Sequence, residues 1–486
     1  MRKVYLVLVM TLVIALGFAA PSPAADNPAM GMETFEEVLE NIQSLHLNEP
    51  DPGDLLEGAI DGLINSLKDP YTEYMSPGEL EKFNETINGD YAGVGIQLEP
   101  GEHYPKAIGT IKNTPAEKAG IMPLDLIIKV DSADIFDQPL GEVVQKIRGP
   151  EGTKVRLTIR RAGAGDFELE LVRANINNPT VSWQVLEDSS GYIRINSFGS
   201  NTFKEFEQAL AGLKEQGATG LILDLRDNPG GLLETAVEIA GAFVGPGQVA
   251  VSTVDRHGDR DVHRTEGAPA GAGLRVVALI NQYSASASEI LAGALQDHHA
   301  ATLVGSQTYG KGTVQIVKPL DAGGALKLTV AKYLTPGNRE INGTGLSPDY
   351  QVTTPALQAL AARRLLTPAP NTLQLELGQT VALVRGETVQ MRQSMLQYNG
   401  TIYLPLRFTF EALGYRVDWQ PADGSVKISG YGYDAVYCTR DGECSQSAPG
   451  VAPLLTKDGE AFIPLAELGN FGINYLTDGS KIFIDK

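Results

Sequence analysis

The spacing of apolar residues changes repeatedly along the chain, and each change predicts a different kind of element. Phe35, Val38, Leu39, Ile42 and Leu45 fall on one helical face, and Thr34 with Glu37 has the spacing of a capping box. Leu55, Leu56, Ala59, Ile60, Leu63, Ile64 and Leu67 make a second apolar face, and Pro70 and Pro77 end that region. A stripe of this kind packs into a core or forms a dimer surface. From residue 91 the periods shorten. Residues 91–98 run from a glycine loop into a strand, residues 115–121 form a short helix stopped by Gly120, and residues 125–131 read as a strand ending in a turn. Residues 143–147 read as helix, and residues 154–160 alternate as a strand.

From residue 174 buried strands alternate with amphipathic helices. Residues 191–195, 220–226 and 274–280 are the strands, followed by 301–305. Residues 202–215, a segment carrying Leu232, Leu233, Val237, Ile239 and Ala240, and residues from about 288 to 297 are the helices. This alternation predicts an α/β layer with parallel strands, whose sites lie beyond the strands' carboxyl ends. Pro229-Gly230-Gly231 and Ser286 both fall at such ends. The Pro-rich segment 367–371 reads as a linker, and residues 372–486 are strand-rich with a weak internal repeat. Residues 399–406 parallel 457–465, and each copy leads into a helix, a Leu413-Gly414 or Phe471-Gly472 step, and a strand.

At 486 residues the chain holds several domains. Its formal charge of -20 is spread along the sequence, which argues against a nucleic-acid partner and against anionic lipid. Residues 1–25 have the parts of a secretory signal: Arg2 and Lys3, an apolar run over 4–20, and small residues over 21–25, with cleavage after Ala24 or Ala25. An uncleaved anchor is the other reading of this segment, and either places the remainder outside the cytoplasm. In an oxidising compartment Cys438 and Cys444, the only cysteines, read as a loop disulfide. No further ligands lie near them for a metal site, and no cofactor is expected.

Candidate chemistry centres on two short stretches. Asn281-Gln-Tyr-Ser-Ala-Ser-Ala-Ser-Glu289 puts serines between an apolar strand and a helix, and Tyr309-Gly-Lys-Gly-Thr-Val-Gln315 puts Lys311 between two glycines with Gln315 four residues on. A serine hydroxyl is a poor nucleophile until a base takes its proton, and a desolvated lysine can be that base. The six histidines have no triad context, and His298-His299 read as surface residues. Spacing alone does not choose among Ser284, Ser286 and Ser288.

The order of elements over residues 91–173, with the Pro-Ala…Ala-Gly-Ile…Asp…Ile…Val-Asp run, resembles a PDZ domain. The resemblance implies binding of a free peptide carboxyl end by the glycine loop Gly93, Val94, Gly95 and Ile96, with the peptide added as a strand. The succession of PDZ domain, Asp-Leu-Arg-x-Asn-Pro-Gly-Gly, Ser-Ala-Ser-Ala-Ser-Glu and Gly-Lys-Gly-x-Val-Gln resembles the carboxy-terminal processing peptidases over roughly residues 33–355. Residues 335–349 resemble that family's closing segment, with Asn338 as a small departure.

That likeness implies Ser286 as nucleophile, Lys311 as general base and Gln315 as the residue positioning the lysine amine. An oxyanion hole from the Ala287 amide and an amide of Gly230 or Gly231 fits a serine at a helix N-terminus. Arg148 matches a PDZ arginine that in some relatives couples peptide binding to protease alignment. Residues 403–419 resemble the small domain at the N-terminus of copper amine oxidases. No copper chemistry follows, because residues 372–486 contain no histidine.

The expected architecture is multidomain α/β and β. Residues 1–25 are a signal, 26–90 a helical region, 91–173 the PDZ domain, and 174–366 an α/β protease core of the ClpP/crotonase-like type. The linker 367–371 precedes an α+β appendage over 372–486, read as a module for cell-wall contact or dimerisation. The expected partners are protein substrates with apolar C-terminal tails. A catalytically silent PDZ scaffold is the alternative, and an apolar-ligand carrier on the same fold is a further one. Serine, lysine and glutamine occurring together speak against both.

Overall fold

Strands whose side chains alternate between two buried faces form the centre of the molecule. In a computed structural model, residues 31–88, 90–177, 179–422, 424–438 and 454–486 are described. The predicted signal segment and Cys444 lie outside them. Cys438 ends the strand Tyr433–Cys438 and is not a free thiol.

The central sheet runs in the order Val181–Val185, Ser190–Ile195, Gly220–Asp224, Arg275–Ile280, Thr302–Gly305 and Tyr350–Gln351. The first pair is antiparallel and the rest are parallel. Leu221, Leu223, Val276, Ala278 and Ile280 face one core, with the helices Thr202–Glu215, Leu233–Val244 and Ala287–Asp297. Ile222, Val277, Leu279 and Val304 face the other, with the helix Pro355–Leu366. Burial on both faces explains the unbroken apolar runs of the parallel strands.

A second, antiparallel sheet contains Thr313–Pro319, Ala325–Leu334, Val249–Asp255 and Arg260–Arg264. It carries the segment after Lys311, and the sequence reading did not foresee it. The PDZ sheet follows the order Ile96–Glu99, Lys106–Thr110, Leu126–Val130, Lys154–Arg161 and Gly165–Val172. Asp90–Gly93 and Ala174–Asn177 pair with each other and close off its two ends.

Residues 372–486 bear out the internal repeat in three dimensions. Thr401–Pro405 leads into the helix Leu406–Ala412 and the strand Arg416–Gln420. Glu460–Pro464 leads into a 3-10 helix over Leu465–Phe471 and the strand Asn474–Asp478. The two leading strands pair antiparallel, Leu404 against Ile463. Gly414 and Gly472, with φ of 93° and 61°, follow the two helical segments at equivalent places. This half shares one hydrophobic core with the back of the central sheet. Glu411, buried in the helix Leu406–Ala412, accepts from Thr353 N and Oγ1 at 3.0 and 2.9 Å and from Thr354 N at 2.9 Å. It thereby caps the start of Pro355–Leu366, whose own cap residue Thr354 offers no side-chain bond.

Residues 31–74 form a separate unit containing the helices Met32–Leu45 and Pro52–Asn65. The first begins at Met32 behind Gly31, so Thr34 lies inside its first turn and the expected Thr34–Glu37 capping box does not form. Asp51 caps the second, accepting from Gly53 N at 2.7 Å. Pro77 was expected to end a helical region. Instead it begins the helix Pro77–Asn88, since a proline fits the first helical position and Ser76 N donates to Glu79 Oε2 at 2.9 Å. Among the described residues no helix is long and apolar enough to cross a membrane.

Candidate active site

Three loops meet at the carboxyl ends of the parallel strands. After Arg275–Ile280 the chain runs through Asn281–Ala285 and reaches Ser286 at φ 54° and ψ -116° before the helix starts at Ala287. A positive φ at a non-glycine residue is costly and needs support from its surroundings. Ser284 and Ser288 provide part of it. Ser284 Oγ donates to the Leu225 carbonyl at 2.8 Å and accepts from Asn281 N at 3.0 Å. Ser288 Oγ donates to the Asn228 carbonyl at 3.0 Å. Both are fully buried, whereas Ser286 is half-buried. Of the three serines that spacing left open, two are thus held by backbone carbonyls.

The second loop follows Gly220–Asp224. Asp224 is buried against Arg226 at 2.5 Å and Tyr192 Oη at 2.6 Å. Burial alone would raise its carboxyl, but the Arg226 guanidinium holds it below the usual range. Asn228, fully buried, donates to Ile195 O at 2.8 Å, accepts from Gly230 N at 2.9 Å, and its carbonyl accepts from Ala285 N at 3.0 Å. It joins the glycine loop to the serine loop. A Cβ on Gly230 would lie 2.7 Å from Ser286 Cβ, and one on Gly231 would lie 2.1 Å from Phe198 O. Only glycine fits at either place.

Because Gly230 N–H is donated to Asn228, it is not available to an oxyanion, and of the two glycines expected to supply that amide Gly231 is the one left. The N–H groups of Gly231 and Ala287 donate to no acceptor among the described residues. Gly230 provides the space beside Ser286.

The third loop carries Lys311. Gly310, at φ 87°, would place a Cβ 2.8 Å from Gly345 N, and Gly312 would place one 2.6 Å from Asn342 N. The glycines on either side let the lysine segment lie flat against residues 342–345. Gln315 sits on the following strand opposite Thr329, and its Nε2 donates to Thr313 Oγ1 and Thr329 Oγ1 at 3.0 and 3.2 Å.

Glu289 ties the serine and lysine loops together, and the sequence reading gave it no role. Its Oε2 accepts from Ser286 N at 3.0 Å and from Lys311 N at 2.9 Å. Its Oε1 accepts from Thr308 Oγ1 at 2.5 Å and from Gly310 N at 2.8 Å. Burial pushes this carboxyl above the ordinary range, while the four donors pull it back. The Ser-x-x-Glu spacing of a capping box was the signal that could have singled it out.

In the PDZ domain Gly93, Val94, Gly95, Ile96 and Arg148 line one cavity of about 120 Å³, between the edge strand Ile96–Glu99 and the helix Leu140–Ile147. Val94 turns its side chain into the PDZ core, so only its backbone is offered to a ligand. Gly95, at φ 81°, would set a Cβ 2.4 Å from Thr114. His298 Nε2 lies 2.8 Å from the Val249 carbonyl, away from these loops.

Comparison with known proteins gives matches to four family models. Peptidase family S41 matches residues 189–352, and a PDZ domain matches residues 110–161. The activating protease CtpB N-terminal domain matches residues 19–78, and the copper amine oxidase N-terminal domain matches residues 361–428. The chain is 39% identical over 323 residues to the carboxy-terminal processing protease CtpA of Bacillus subtilis, covering 66% of this chain and 69% of that one. It is 36% identical over 332 residues to a probable CtpA-like serine protease of Staphylococcus haemolyticus, covering 68% and 66%. It thus spans about two thirds of the length of these relatives. A solved photosystem II D1 C-terminal processing protease is 28% identical with a TM-score of 0.40, covering 68% of this chain and 96% of that one.

Proposed function

The chain belongs to the carboxy-terminal processing proteases of peptidase family S41, which are serine-type peptidases, and on that premise we propose that it is an extracytoplasmic endopeptidase that holds apolar C-terminal tails in its PDZ domain and cuts upstream with Ser286 and Lys311. The observation that carries this reading is the carboxylate of Glu289, which binds the backbone N–H of both residues.

In the proposed reaction the uncharged Lys311 amine takes the proton of Ser286 Oγ as that oxygen bonds to the scissile carbonyl carbon. The Gly231 and Ala287 amides meet the charge that develops on the carbonyl oxygen. The carbon–nitrogen bond then breaks, Lys311 passes its proton to the leaving amine, and water hydrolyses the acyl-enzyme. Gln315 orients the lysine from the neighbouring strand. The tail's carboxylate would lie on the backbone of residues 93–96, with Arg148 at the end of the groove. The signal-like residues 1–25 favour export, and the exposed apolar faces of Met32–Leu45 and Pro52–Asn65 favour a homodimer.

The test is incubation of the mature chain with an unfolded protein ending in apolar residues, beside Ser286→Ala and Lys311→Ala. Cleavage by the parent alone is expected. Tail binding without cleavage in the parent would favour the silent PDZ scaffold.

A further inference from the structure

The peptide group between Ser286 and Ala287 has two parts in the proposed reaction. Its carbonyl belongs to the nucleophile, and its N–H is one of the two oxyanion donors. In a planar trans peptide these bonds point in opposite directions, so whatever fixes the carbonyl also aims the N–H. Ser286, at φ 54° and ψ -116°, holds this group in a strained setting. The carbonyl accepts from Glu289 N at 2.8 Å and from Ile290 N at 2.9 Å. Both donors lie in the helix that Ser286 begins, so they orient the carbonyl only with respect to that helix.

A third donor comes from another element. Tyr333, on the strand Ala325–Leu334, donates its hydroxyl to Ser286 O at 3.3 Å. Its backbone N–H donates to Gly312 O at 3.0 Å, next to Lys311. One residue thus reaches both the nucleophile's carbonyl and the lysine segment. Tyr333 is buried in the core that also contains Ile290 and Ile341, and it lies opposite Thr253 in its sheet. Close packing leaves the ring little freedom, and its hydroxyl stays where the core puts it. Glu289 binds the N–H of Ser286, and Tyr333 binds its carbonyl. Between them they hold the two peptide planes that set φ and ψ of the nucleophile.

We propose that Tyr333 is a positioning residue for the cleavage reaction. Its hydroxyl holds the plane of the Ser286–Ala287 peptide so that the Ala287 amide faces the oxyanion, and its backbone keeps the lysine segment in register with that plane. This inference rests on the peptidase reading above and adds to it a residue outside the three loops.

The test is steady-state cleavage of an unfolded protein ending in apolar residues by the mature chain, by Tyr333→Phe and by Tyr333→4-aminophenylalanine. The rate at which a fluorophosphonate labels Ser286 is measured in parallel. Phenylalanine keeps the buried ring and removes only the donor. In that variant kcat and the labelling rate are expected to fall about tenfold with KM unchanged, less than the loss of a whole oxyanion donor. The aniline N–H is a weaker donor than the phenol, so Tyr333→4-aminophenylalanine should fall between the two, and it stands alone against the parent should the phenylalanine variant not fold. A tyrosine that served folding only would shift the urea midpoint and leave kcat of the folded enzyme as it was. A parent that is labelled or cleaves, beside folded variants with the same kcat and labelling rate, overturns this inference and spares the peptidase reading. A parent that neither cleaves nor is labelled overturns both.

Discussion

Ser286 and Lys311 donate their backbone N–H groups to the same atom, Oε2 of Glu289, at 3.0 and 2.9 Å. The two backbone nitrogens therefore lie within about 6 Å of each other. Shared attachment fixes the approach of two loops that are 25 residues apart, and it does so without occupying either side chain.

Replacing Glu289 tests this attachment. In Glu289→Gln an NH₂ group replaces one oxygen and faces N–H donors, so at least one bond becomes a repulsion. Displacement of reacting groups by about 1 Å costs about 100-fold in rate. Cleavage is expected to fall by about that factor, with tail binding to the PDZ domain unchanged in fluorescence titration. Full activity in this variant would refute the positioning role.

Gly230→Ala probes the space beside Ser286. The added Cβ meets Ser286 Cβ at 2.7 Å and Ala285 O at 2.8 Å, and φ of 105° is unfavourable to alanine. Steady-state kinetics should show kcat reduced by about 100-fold, again on the displacement argument. A change confined to KM would mean that the glycine serves substrate binding instead.

Glu411→Ala should loosen the joint between the helix Pro355–Leu366 and the repeat-bearing half. It leaves three donors of Thr353 and Thr354 without an acceptor and Arg407 without its partner at 3.3 Å. A loss of about 3 kcal/mol in urea unfolding is expected. An unchanged midpoint would show that packing alone holds the joint.

Glu238 is exposed on the helix Leu233–Val244, where partial desolvation, and after it the neighbouring Glu207, Glu234 and Glu266, raise its carboxyl above the usual range. A carboxyl raised in the folded state favours folding most when protonated, so its contribution weakens as pH rises through about 4.5 and beyond. Glu238→Gln should therefore melt higher than the parent near pH 7, with the gain vanishing near pH 4. An equal gain at both pH values would place its origin outside the charge.

Some of this was legible because the information is local. The helix Thr202–Glu215 carries a plain 3.6-residue stripe, and the serine and lysine motifs hold their glycines and small residues in sequence. Asn228 and Thr308 were not legible, since their partners lie on other loops and their own neighbourhoods look like ordinary turns. Pro355–Leu366 escaped for a different reason. Leu357, Leu360, Ala361, Ala362 and Leu366 surround it because it is covered on both sides, and such a helix shows no single apolar face. Pro77 misled because proline ends helices and also begins them.

The single core beneath the central sheet bears on how the molecule is made. Ile222 and Leu279 stay wet until Pro355–Leu366 covers them, and that helix is in turn covered only when Thr372–Glu376 has found Lys481–Asp485. A nascent chain emerging from its amino end would thus carry finished serine and lysine loops on a half-clothed sheet, poorly supported until residues 481–485 have been delivered.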